Sequence, residues 1–210
     1  YVEGLAHESF HAYQGMTAPE LLGAYEGVHS IENTYPWDED AVRDAWNEVL
    51  SLLHDAQKAA GDAERSNAEI AELAQAFLTA RSARRDAAGW RASLTDYERK
   101  REWVEGLAKY SELTIGLRAS AAVQNERYEP VQALADDPRF KAYRTQPRYW
   151  NAQIDEIQRM ASREGEIRFY YGGMAQAVML DRLMDNWKSR IWEEDVWLED
   201  LLAEAVDIRE

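Results

Sequence analysis

Apolar residues return every three or four positions along almost the whole chain, and no stretch alternates with period two for long enough to form a strand. That rhythm predicts a mainly α fold. Val2 to Gln14, with Leu5, Phe10 and Tyr13, reads as a first helix stopping at Gly15. Residues 16–37 are the least regular part, because Pro19, Gly23, Gly27 and Pro36 act as breakers. A long helix is expected from Asp38, with Val42, Trp46, Val49, Leu50 and Leu53 at helical spacing. Another follows Gly61 and Asp62, with Ile70, Leu73, Phe77 and Leu78 on one face, and ends near Gly89. Ser93-Leu94-Thr95-Asp96 begins a third, carrying Trp103, Leu107, Tyr110 and Leu113. Pro130, Pro138 and Pro147 interrupt residues 125–148, read as surface loop, and further helices are expected over about 149–163, 166–184 and 187–205.

With 210 residues, 46% apolar, the chain has the bulk for a sizeable core, and residues 1–210 are read as one domain. A formal charge of −15 argues against nucleic acid and against an anionic membrane surface, since affinity for phosphates comes from Lys and Arg. The one basic stretch, Arg81, Arg84, Arg85, Arg91, Arg99, Lys100 and Arg101, is expected to be the solvated face of helices. No apolar run approaches the roughly 20 residues that span a bilayer. The chain has no cysteine, so disulfides and thiolate metal sites are excluded and any metal must be held by His, Asp or Glu. It opens on Tyr1 without a methionine, which leads us to expect an upstream part. Were that part a signal segment, the address would be extracytoplasmic; compartment and oligomeric state are otherwise unreadable.

His7-Glu8-Ser9-Phe10-His11 carries the chemistry. Residues four apart lie one turn apart on the same helix face, where two imidazoles reach one ion. Zinc suits neutral imidazole and carboxylate in a site that keeps one position for water. Glu8, beside the first ligand, is placed to take a proton from that water as general base. This is the H-E-x-x-H pattern of zinc peptidases. A third protein ligand is needed, from His29, His54 or a carboxylate. Glu105 is chosen, because Gly106 and Ala108 in Trp103–Glu112 would let its helix approach the one that holds the metal.

Two segments, VEGLAHESFHAYQ (Val2–Gln14) and EGLAKYSE (Glu105–Glu112), resemble the gluzincin class of metallopeptidases, in which an H-E-x-x-H helix is followed by a helix with a third glutamate ligand. A third, RFYYGGMAQAVMLDRL (Arg168–Leu183), is similar to a late helix of bacterial members. The resemblance implies a zincin-like helical domain in which His7, His11 and Glu105 bind Zn2+ and Glu8 shuttles the proton. It also implies that a peptide or protein is the substrate. The 94 positions between His11 and Glu105 exceed the spacing of thermolysin-like members, which leaves Glu32, 21 positions after His11, as a rival ligand.

Glu112, two turns beyond Glu105, is placed to orient a ligand histidine, or is simply solvated. Gln14 lines the cleft, bonds a ligand or packs neutrally. Tyr170 and Tyr171 are candidates to donate to the oxyanion of a tetrahedral intermediate, with Tyr171 preferred, as gluzincins often use a Tyr or His this way. His54 is expected on a charged helical face without chemistry, and Trp187, Trp192 and Trp197 are read as core. Two other readings stand beside the hydrolase. One is a degenerate zinc-binding domain that recognises a partner without cleaving it; the other is a helical interaction protein whose motif arose by chance.

Overall fold

Pro19, not Gly15, decides where the first helix ends. In the computed structural model, which describes residues 2–27, 29–37, 40–87, 92–124, 137–138, 146–162 and 165–207, the regular elements are helical and no strand occurs among the described residues. Helix α1 (Val2–Thr17) runs straight through Gly15. The Ala18 N–H still donates to the Gln14 carbonyl at 2.9 Å, and Pro19 then begins α2 (Pro19–Glu26), where the missing donor costs nothing. The stretch expected to be irregular therefore contains α2 and a short turn, α3 (His29–Glu32).

Helices α4 (Asp40–Ala60) and α5 (Asn67–Ala87) pack side by side across the turn at residues 61–66. Ser66 and Glu69 close that turn reciprocally: the Ser66 hydroxyl accepts from the Glu69 N–H at 3.2 Å, and the Glu69 carboxylate accepts from the Ser66 N–H at 2.9 Å. Next come α6 (Ala92–Arg101), a π-helical turn (Glu102–Gly106) and α7 (Leu107–Gln124). Most of the stretch 125–148 lies outside the described residues, and α8 (Gln146–Glu156) begins three residues earlier than periodicity suggests, with Pro147 in its first turn. It tightens into a 3₁₀ segment (Ile157–Ser162).

Helix α9 (Ile167–Leu183) is the hub, buried along nearly its whole length and packed against the π turn, α4, α7 and α11 (Leu198–Asp207). Gly172, Gly173, Ala175 and Ala177 are what let it take neighbours on several sides. A methyl group added to Gly173 would lie 2.3 Å from the Glu102 carbonyl oxygen and 2.8 Å from the Gly106 Cα, so the two backbones touch there. Gly106 was expected to admit the helix that holds the metal; it admits α9 instead. The single last helix expected over 187–205 is two, α10 (Trp187–Arg190) and α11, separated by turns in which Asp195 adopts φ 59°. No helix among the described residues is long and apolar enough to cross a membrane.

The basic stretch is not a solvated face. Arg81, Arg84 and Arg101 are buried, and Arg91 falls outside the described residues. Arg81 donates to both oxygens of Glu102 at 2.9 and 2.8 Å, and its Nε lies 2.9 Å from Glu199. Arg84 holds Glu98 and stacks on Trp46 with 4.0 Å to the ring centre. Arg85 joins Glu98 to Glu199, and Arg99 closes on Glu199 from the rim. The carboxylates come from α6, the π turn and α11, elements separated in sequence, so no local charge pattern announces the pairing.

Arg81→Ala strands Glu102 and Glu199 without their shared partner in the interior, and should cost about 3–5 kcal/mol. Arg99→Ala, at the half-exposed rim, should cost no more than about 1 kcal/mol. Urea denaturation of both variants tests the contrast; equal losses would contradict a buried network centred on Arg81.

Candidate metal centre

Helices α1 and α7 lie along one another in opposite directions, so His7 meets Glu105 and Glu112 while His11 and Gln14 meet the π turn. Three donor atoms converge. The Nε2 atoms of His7 and His11 are 3.1 Å apart, and each is 3.4 Å from Oε2 of Glu105. Four ligands placed tetrahedrally at zinc's usual bond lengths stand about 3.3 Å from one another. The triangle has the edges of one face of such a tetrahedron. Two imidazoles and a carboxylate are also the donor chemistry that zinc favours, so the residues fit the ion. Among the described residues, these are the three side chains that group as a potential metal site.

The remaining imidazole nitrogens are held from behind. The Nδ1 of His11 donates to Oε1 of Gln14 at 2.8 Å, and the Nδ1 of His7 stands 3.4 Å from Oε2 of Glu112. A proton fixed on Nδ1 leaves the Nε2 lone pair facing the third ligand, which is the tautomer a metal needs. Gln14 is fully buried, and its amide N–H groups donate to the carbonyls of Trp103 and Val104 at 2.9 and 3.2 Å. It therefore ties His11 to the same π turn that carries Glu105. π turns inserted into helices are frequent at functional sites. Arg101 lies behind Glu105, with Nη1 3.7 Å from Oε1, and pairs with Glu166 on its other side. Lys109 supports Glu112 at 2.9 Å. Both cations precede their carboxylates by one helical turn, a spacing readable in the sequence but not singled out there.

Of the two tyrosines, Tyr170 is the one at the metal centre. Its ring stacks on His7 with centroids 5.8 Å apart and planes 10° from parallel, and its hydroxyl interacts with the Glu105 carboxylate. The preference for Tyr171 is reversed: its hydroxyl donates to Gln153 at 3.0 Å, although its ring still lines the cleft. Neighbours on a helix point about 100° apart, so the two hydroxyls reach different partners. Glu8 is exposed, one position past His7. Glu32 lines the same cleft of about 500 Å³ as His7, Tyr170 and Lys109, but is not among the three converging ligands. The His29 side chain lies outside the described residues. His54 is buried beside Asp55 and Asp155, with Nδ1 3.0 Å from Asp55 and 3.2 Å from Gln158, and is not part of this cluster.

The electrostatics suit a cation. Hydrogen bonds to Glu105 and Glu112 raise the His7 imidazole to about 9. Burial works against the charged form of His11, yet its contacts with Glu105 and Gln14 raise it too. Burial would raise Glu105, but His11, His7 and Tyr170 together hold its carboxyl far below the usual range. Burial, then the charge of Glu105, lifts the Tyr170 hydroxyl, which stays a hydrogen-bond donor.

Compared with known families, curated proteins and solved structures, the chain finds no match.

A proton and a metal compete for His7. Because its folded value lies above the unfolded 6.5, the stabilisation it gives the metal-free fold is complete below pH 6.5 and lost as pH rises through about 9. Metal-free stability should therefore fall across pH 6.5–9. Zinc affinity should rise over the same window, by about tenfold per pH unit for each proton displaced. Competition titrations and calorimetry in buffers of different ionisation enthalpy read both; a pH-independent affinity with no proton release would contradict the assignment of His7.

Proposed function

We propose that the protein is a zinc-dependent hydrolase, most simply a metallopeptidase of the gluzincin kind. One observation carries this reading: the triangle of His7, His11 and Glu105 donor atoms, with edges of 3.1, 3.4 and 3.4 Å, beside a glutamate one position after the first histidine. Zinc bound there would supply Lewis acidity, polarising a scissile carbonyl and lowering the pKa of a water.

The chain's own residues divide the remaining work. His7, His11 and Glu105 hold the ion, while Gln14 and Glu112 keep the imidazoles in the binding tautomer. Glu8, exposed on the helix flank next to His7, is the general base that accepts the water proton and returns it to the leaving amine. Tyr170, stacked on His7 beside Glu105, would donate to the oxyanion that forms as the carbonyl is attacked. Lys109 and Tyr171 border the cleft that a peptide would enter.

Glu8→Gln should retain stoichiometric zinc and lose hydrolysis of a cleavable peptide by about 10²-fold or more. Metal analysis and a fluorogenic peptide library test it together. Full activity in the variant would remove Glu8 from the mechanism, and zinc binding with no hydrolysis by the parent protein would favour a non-cleaving domain. Glu105→Ala should weaken zinc far more than Glu32→Ala; the reverse order would assign the third ligand to Glu32.

A further inference from the structure

A second cleft lies on the other flank of α1. By helical rotation, His7 and His11 occupy one side of this helix, and Leu5, Ser9 and Tyr13 the opposite side. That opposite side forms, with α7 and the region around α10, a cleft of about 680 Å³, a volume typical of small-molecule sites. Its far end is an aromatic nest: Trp192 lies 6.1 Å from Phe10, 5.3 Å from Tyr13 and 5.7 Å from Trp103, centre to centre. Its rim leaves Leu5, Tyr13 and Ile115 exposed at 67, 49 and 51%. Apolar side chains this open, gathered round one concavity, mark a surface that buries something.

The charges say what kind of ligand. The chain carries 39 carboxylate side chains against 24 Lys and Arg, yet the residues lining this cleft include no Asp or Glu and two cations, Arg118 and Lys188. The other three clefts described in the fold are each bordered by carboxylates. Lys188 is occupied by Asp181 at 2.6 Å, whereas Arg118 is exposed and makes no ion pair among the described residues. Arg118 sits eleven residues along α7 from Leu107, about 16 Å at 1.5 Å per residue, so the cleft has a cation at one end and apolar walls at the other.

We propose that this cleft binds a free fatty acid, its carboxylate on the Arg118 guanidinium and its alkyl chain laid along α1 and α7 toward Trp192. A guanidinium donates two parallel hydrogen bonds to a carboxylate, and an unbranched chain matches an apolar wall that runs along a helix. This site is separate from the metal centre and does not depend on the hydrolase reading.

Dodecanoate and dodecan-1-ol, both below their aggregation limits at pH 8, provide the test, read by calorimetry and by tryptophan emission. Dodecanoate should bind saturably, one per chain, and about tenfold or more tighter than the alcohol, the scale of one charge-assisted pair. Arg118→Gln should remove that preference while leaving alcohol binding unchanged, and His7→Ala should leave dodecanoate binding intact. No saturable binding, equal affinity for acid and alcohol, or a preference that survives Arg118→Gln would overturn the proposal. So would a concentration-dependent dimer that dodecanoate fails to dissociate.

Discussion

Gly106 and Gly173 meet with nothing but backbone between them, and the placement of His7, His11 and Glu105 builds on that contact. A Cβ on either residue would fall within 2.4 Å of the other helix's backbone, so this point is fixed by exclusion rather than by attraction. The π turn is pinned there against the buried helix α9, and Glu105 leaves the turn one residue before the contact. Gln14 then docks α1 onto the same turn through two carbonyls, which sets His11 opposite Glu105 and His7 one turn further along. Three candidate ligands on two elements thus share one mechanical reference.

Charge burial serves the same end. Arg81 grips the side chain of Glu102, the first residue of the π turn, and Gln176 on α9 donates to the same carboxylate at 2.9 Å. Glu199 brings α11 into the network. Breaking such a set leaves an uncompensated charge in the interior, which makes the arrangement costly to loosen even where its net contribution to stability is modest. A strongly acidic chain therefore places part of its arginine complement inside, against the π turn that carries Glu105, rather than on its surface.

The long helices were legible because their apolar positions repeat over several turns, as in α4 and α5. The spacing of His7 and His11 was legible for the same reason, since four residues on a helix fix a face. Elements decided by tertiary contact were not. The π turn has no local signature; what distinguishes it is tertiary, the packing of α9 on one side and the Gln14 amide on the other. The buried arginines looked like a solvated face because their partners, Glu98, Glu102 and Glu199, sit on other elements. Gly15 suggested a stop that only Pro19 enforces, and the choice between Tyr170 and Tyr171 depended on a helix rotation that packing alone determines. Glu105 was selected for small neighbours that serve a different contact from the one imagined; the structure brings it to the histidines by way of the π turn.

The central claim is that His7, His11 and Glu105 form one metal site. Anomalous diffraction at the zinc edge from crystals grown with one equivalent of zinc tests it most directly. A single strong peak is expected about 2.0–2.2 Å from Nε2 of His7, Nε2 of His11 and an oxygen of Glu105. A peak elsewhere, a ligand set with Glu32 in place of Glu105, or no peak between the two imidazoles would contradict it.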